Sequence, residues 1–169
     1  MNDLKLQVFK IYDDAEMPEF GTKQSACFDV KAYIKDGTAV IGYDNDNDEF
    51  KKWPQDNEIE INPGDRLLVE TGLIFKIPKG YKVNLHPRSG NSLKKAMVLA
   101  NAEGVIDSDY YHQVYGMITN TSEKQIILNS GDKMMQGEMV PVLEYTIEET
   151  ILKVEQSTDR VGGFGSTDS

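Results

Sequence analysis

Apolar and polar residues alternate with a period of two along most of the chain. Leu4, Leu6 and Val8 are interleaved with Lys5 and Gln7, the pattern of a strand with one buried face and one wet face. Comparable short runs follow at 26–34, 66–77, 81–85, 114–120, 125–128, 134–140 and 143–147. Turn signals part them: Asn62-Pro63-Gly64-Asp65, Pro78-Lys79-Gly80 and Asn129-Ser130-Gly131-Asp132, residue types that preset or tolerate turn dihedrals. Many short strands at close spacing predict an all-β fold: a sandwich, a barrel or a jelly roll. One short helix is predicted over 89–96, where Ser89 is placed to cap helix-tolerant residues.

Two stretches break the alternation. Residues 36–58 are polar and acidic, hold Tyr43-Asp44-Asn45-Asp46-Asn47-Asp48-Glu49 and carry the only tryptophan, Trp53. The spaced acids resemble a calcium loop, but Glu49 stands where that loop needs glycine, and Gln55 where it needs glutamate. A solvated insertion is therefore expected. The end of the chain, 161–169, is glycine-rich around Phe164. Such a segment holds no packed element by itself; it is either a frayed end or an arm that closes over a flat ligand.

Composition narrows the chemistry. The 169 residues suit one domain, with 39% hydrophobic and 9% aromatic residues to build its core. A net charge of −10 repels a polyphosphate backbone, so nucleic acid is not the expected partner. A small anion remains possible, because placed cations and backbone amides can hold a phosphate locally. Cys27 is the lone cysteine, which excludes an intramolecular disulfide and a cysteine-rich zinc site. The first residues lack a signal-peptide run and no stretch is long enough to span a membrane, so a soluble cytoplasmic protein is expected.

Three patches can carry chemistry. In His86-Pro87-Arg88-Ser89-Gly90-Asn91-Ser92, a proline ends a strand and an arginine and serine stand at a helix start, as in an anion pocket or a plain cap. In Asn101-Ala102-Glu103-Gly104-Val105-Ile106-Asp107-Ser108-Asp109-Tyr110, an apolar pair runs into a turn with two acids and a tyrosine. A carboxylate fixed at a strand end can take a proton from water, though the acids can equally serve only the turn. In Gly131-Asp132-Lys133-Met134-Met135-Gln136, a glutamine among apolar residues either braces the core or faces a site. Arg160, one of only three arginines, accompanies the tail.

In order and content these patches resemble the five motifs of the trimeric, all-β dUTP diphosphatase family. The motifs are Ser25-Ala26-Cys27-Phe28-Asp29-Val30, Pro87-Arg88-Ser89-Gly90, Gly104 through Tyr110, Gly131 through Gln136, and Arg160 through Thr167. The resemblance implies a jelly-roll, distorted β-barrel domain over 1–160 with one short helix, the 36–58 insertion, and a mobile arm at 161–169. It also implies a homotrimer whose subunits share active sites, with dUTP as substrate. Asp107 would then activate water for attack on the α-phosphorus. Asn101 would read the uracil edge with main-chain groups of a β-hairpin at Gly104, Val105, Ile106 and Tyr115, excluding cytosine and thymine. Tyr110 would lie against the deoxyribose. Arg88, Ser89, Gly90 and Gln136 would hold the phosphates, and Arg160 the terminal one. Phe164, beside Gly165, would stack on the base. Asp29 would touch Mg2+ only through water, the ion being held mainly by the triphosphate.

Departures from the family pattern concern shape more than chemistry. Cys27 and His112 replace usual glycines, and a positive φ at His112 would strain the turn. The fourth motif is less apolar than usual, and the fifth is one residue short between Arg160 and Phe164. Two other readings share the motifs in part: a dCTP deaminase, alone or bifunctional with the diphosphatase, and a partner-binding regulatory protein using the insertion around Trp53. The acids at Asp107 and Asp109 favour hydrolysis.

Overall fold

The computed structural model describes residues 4–155 and 157–159. Its backbone is the long strand β7 (Arg66–Lys76), which alternates from end to end. Leu67, Val69, Thr71, Leu73 and Phe75 are all buried. Around it form β1 (Gln7–Lys10), β4 (Val40–Tyr43), β5 (Glu49–Lys52), β9 (Met97–Leu99) and β11 (Gln113–Asn120). They make a six-stranded sheet of order β5-β4-β7-β11-β9, with β1 added along the far half of β7. A second sheet runs β10-β8-β13-β3-β2, from β10 (Gly104–Ile106), β8 (Tyr81–Pro87), β13 (Lys133–Pro141), β3 (Phe28–Lys31) and β2 (Glu19–Phe20). A small pair joins β6 (Glu58–Ile61) to β12 (Ile126–Asn129).

The inward faces meet in one core. Phe28, Val30, Val83, Leu85 and Met135 of the second sheet bury with Leu67, Val69, Phe75, Val114 and Ile118 of the first. Phe28 and Phe75 meet edge to face, with ring centroids 6.1 Å apart, a preferred aromatic geometry. The architecture is the expected all-β sandwich of the jelly-roll kind. Barrel closure is not found among the described residues: the sheets stay separate, with open edges at β5, β9, β10 and β2.

Most predicted strands appear within a few residues of their sequence signals, and the helix α1 spans Ser89–Lys95. Three expectations are corrected. Arg88, not Ser89, occupies the N-cap position, extended at φ −91° and ψ 131°, and no side chain caps the helix. The insertion is ordered in part: β4 and β5 extend the large sheet through a turn in which Asp44 Oδ1 accepts the Asp46 and Asp48 N–H groups at 2.9 and 3.0 Å. The run at 143–147 forms no strand, and just before it Val142 N–H donates to Gly80 O at 2.8 Å.

No helix among the described residues is long and apolar enough to cross a membrane.

Candidate functional site

The first cluster forms where β8 ends. Pro87 cannot donate to a ladder and closes the strand, which leaves Arg88 projecting beside β13 and β3. The register sets His86, Gln136 and Asp29 in one row, since Gln136 lies opposite both of the others. Residues at matched positions on neighbouring strands face the same way. Asp29, only 8% exposed, receives Arg88 Nε at 2.9 Å on Oδ1 and Lys133 Nζ at 2.8 Å on Oδ2. Such pairing offsets the cost of taking a carboxylate this far out of water. Gln136 Nε2 donates to Pro87 O at 2.9 Å, so the glutamine braces the strand end and also stands beside the arginine.

Two residues that sequence reasoning did not single out belong here. Lys133 is the second cation on Asp29. Asn91, 7% exposed, donates from Nδ2 to Lys133 O at 2.9 Å and ties α1 to β13. Both lie inside the patches already noted. The available signal was the rule that a buried amide in a helix must find an acceptor. Arg88 Nη1 donates weakly to Lys133 O at 3.4 Å, and its remaining guanidinium N–H groups still exceed these partners. Ser89 and Gly90 are exposed in the first turn of α1 beside this fan of donors.

A second cluster forms where β9 leads into β10. Ala102 adopts a left-handed conformation at φ 59° and turns the chain, while Ala100 N–H donates to Met117 O at 2.8 Å. Asn101 is thereby held against the edge of β11. Its Nδ2 lies 3.6 Å from the point where a Cβ on Gly104 would stand, and that Cβ would approach Leu85 Cβ to 3.2 Å. Gly104 thus lets the asparagine, β10 and β8 come close together. Beyond Ile106, Tyr110 N–H donates to Asp107 O at 3.1 Å and the Tyr110 hydroxyl donates to Gln113 O at 2.9 Å. Asp107 is exposed on an open groove of about 650 Å³ shared with Lys79, Tyr81, Tyr111 and Glu144.

The hairpin expectation needs correcting. β10 pairs with β8 and β11 pairs with β7 and β9, so the two limbs belong to different sheets. Strain at His112 is also absent: its φ is not positive, and its ring packs edge-on to Tyr110 at 5.6 Å.

Within one chain the clusters stay apart. Ile106 pairs with Val83, which sets Asp107 level with Lys82 at the start of β8. Arg88 lies six residues further along, about 20 Å at strand rise. Asp29, Arg88, Ser89, Gly90 and Gln136 are thus gathered at one end. Asn101, Gly104, Val105, Ile106, Asp107 and Tyr110 are gathered around β10 and its loops, while Tyr115 lies opposite Glu70 of β7. Arg160, Phe164 and Gly165 lie outside the described residues.

A β-sandwich with an arginine–carboxylate cluster at one strand end and a solvent-facing aspartate after β10 fits the class of all-β nucleotide hydrolases. The dUTPase family model matches residues 55–168. A deoxyuridine 5'-triphosphate nucleotidohydrolase of a Hydrogenobaculum species is 32% identical over 165 residues, covering 97% of this chain and 98% of its own. The dUTPase of Streptococcus mutans superposes with a TM-score of 0.65 at 26% identity, over 83% of this chain and 98% of that one. A variant dUTPase from phage phi11 of S. aureus, which coordinates a structural Mg(II) ion, shares the fold at a TM-score of 0.67 and 21% identity, over 88% and 97% of the two chains. The chain belongs to the dUTPase family.

Proposed function

We propose that the chain hydrolyses dUTP to dUMP and pyrophosphate in the cytoplasm, limiting uracil incorporation into DNA and supplying dUMP for thymidylate synthesis. One observation carries the mechanism: Arg88 and Asp107, each within its own cluster of residues, stand about 20 Å apart along β8. A single α-phosphorus cannot touch both within one chain. The site is completed when Asp107 of one copy faces Arg88 of another, and the working form is a homotrimer with shared sites. The surface supports assembly. Leu143, Tyr145 and Ile147 alternate, are 82%, 80% and 91% exposed, and pair with no sheet edge among the described residues.

Asn101 and main-chain groups at Gly104, Val105, Ile106 and Tyr115 read the uracil edge. Tyr110, locked by its hydroxyl bond to Gln113 O, presents its ring to the deoxyribose and excludes a 2′-hydroxyl. Asp107 accepts a proton from water as the water oxygen bonds to the α-phosphorus. The bond from that phosphorus to the bridging oxygen breaks, and the electron pair leaves with pyrophosphate. Arg88 meets the developing charge with planar, directional donors, with Ser89, Gly90 and Gln136 alongside. On the family resemblance alone, we assign the base to Phe164 and Gly165 and the terminal phosphate to Arg160.

The residues present fit a magnesium ion brought in by the substrate. Asp29 has each oxygen on one cation and keeps lone pairs for a metal-bound water. No group of three or more His, Cys, Asp or Glu side chains that could hold an ion occurs among the described residues. When bound, magnesium offsets charge on the departing pyrophosphate.

Incubation with dUTP, dCTP, dTTP and UTP plus magnesium tests the reading. Pyrophosphate is expected from dUTP alone. Ammonia from dCTP would replace it with the deaminase reading, and inertness toward every nucleotide with a binding role.

A further inference from the structure

β7 carries two residues more than β11 needs. Tyr115 pairs with Glu70, but Gln113 pairs with Ile74 rather than with residue 72. The excess forms a bulge at Thr71–Leu73, with Gly72 at φ 69° and no room for a side chain, since a Cβ there would stand 2.8 Å from Ala15 Cβ. Because the excess is even, the inward phase of β7 survives it. The bulge turns this stretch of β7 backbone away from β11: Glu70 O accepts from Tyr33 N–H, and Gly72 O from Ile11 N–H, both at 2.8 Å. Val114, fully buried, is left with no β7 residue opposite it in register.

Thr71 fills the gap. Its hydroxyl, on a residue 2% exposed, donates to Val114 O at 2.6 Å and accepts Leu73 N–H at 3.1 Å. The peptide joining Val114 to Tyr115 is trans, and across a planar trans peptide the C=O and N–H point in opposite directions. Fixing Val114 C=O toward β7 therefore aims Tyr115 N–H away from it. On that side β9 pairs with β11 only at residues 118–120, and Asn101 adjoins the edge through the Ala100–Met117 bond. Bulges commonly re-aim the chain beside active sites; here the re-aimed group is a main-chain donor.

We propose that Thr71 is a specificity-determining positioning residue: its buried hydroxyl clamps the Val114 carbonyl and thereby points Tyr115 N–H at a carbonyl of the uracil ring. This rests on the proposed reading that the base binds beside Asn101. Thr71 touches no substrate, and its effect on turnover passes entirely through the peptide plane. Cytosine replaces one ring carbonyl by an amino group, so a well-aimed N–H rewards uracil and a loosened one rewards it less.

Thr71→Val keeps the shape and removes the donor. The expected result is a KM for dUTP raised about tenfold, the worth of one buried neutral hydrogen bond. Alongside it, kcat should stay within about twofold and the preference for dUTP over dCTP should narrow. Thr71→Ser, which keeps the hydroxyl, should restore both KM and preference. If Thr71→Val does not fold, Thr71→Ala measured against Thr71→Ser makes the same comparison. An unchanged KM and preference in the hydroxyl-free variant overturns the clamp, as does a serine variant as impaired as the valine. Either result alongside an active wild type leaves the dUTP reading standing. A wild type without dUTP hydrolysis removes both.

Discussion

The groups proposed for chemistry differ in how firmly they are held, and that difference predicts what each substitution does. Asp107 is exposed and its side chain braces nothing in the fold, so Asp107→Asn should leave stability and ligand affinity nearly unchanged. A positioned general base is worth about a hundred- to ten-thousandfold in rate. We expect kcat to fall by that order while a nonhydrolysable dUTP analogue binds within about threefold by calorimetry; retained turnover would remove Asp107 from its role. Asp29 is the opposite case. Asp29→Asn leaves Arg88 and Lys133 adjacent without their shared anion. Both cations are about a third exposed, so the loss should be roughly 1–2 kcal/mol rather than the larger cost of a fully buried pair. Urea denaturation should show that loss shrinking as salt screens the two cations. A variant as stable as wild type at low salt would mean that the pairing does not anchor the cluster.

At the scale of elements, the segment after β1 is tied to the sheet by stacked rings. Tyr12 and Tyr33 lie 4.5 Å apart and nearly parallel, and the Tyr33 hydroxyl donates to Asp14 at 2.9 Å. Burial first, and then that bond, push the Tyr33 phenol from 10.0 to about 12. A group that holds its proton more tightly when folded contributes stability below its unfolded value, and this is lost as pH climbs to the folded one. The wild type should therefore lose stability between pH 10 and about 12 through this phenol, and Tyr33→Phe should not. Chemical denaturation across that window should show the gap between the two proteins closing, and a constant gap would sink the assignment. Much of this scale was legible in advance. The run at 66–77 keeps Leu67, Val69, Leu73 and Phe75 in one phase and became β7, and Pro87 marked the end of β8. The bulge at Thr71–Leu73 was hidden because an even excess preserves the phase. The run at 143–147 alternates as well as any strand, but alternation records only a face to be buried and not whether the same chain supplies the edge. The insertion read as polar because β4 and β5 lie at the rim of a sheet, where only Val40 and Gly42 of their residues are buried. The motif residues were visible one by one, whereas Lys133 and Thr71 act through partners on other strands that no local pattern names.

At the scale of the whole molecule, the decisive quantity is the separation of the two clusters along β8. Strand rise makes it rigid, so no side-chain rearrangement brings Asp107 to the phosphates that Arg88 of the same chain would hold. In the proposed trimer, rotational symmetry would set the start of β8 in one copy against the end of β8 in the next and make every site equivalent. Mass measurement should find about three times the 19.0 kDa chain, yet mass alone does not show that sites are shared. Complementation does. Chains carrying Asp107→Asn and chains carrying Arg88→Ala should each be inactive as pure assemblies. Refolded together in equal amounts, they form mixed rings in which some sites take an intact Asp107 from one parent and an intact Arg88 from the other. Random assembly makes such sites roughly a quarter of the total, and dUTP hydrolysis should recover to about that fraction of wild type. Sites built within single chains would stay dead at every mixing ratio, because no chain in the mixture carries both residues.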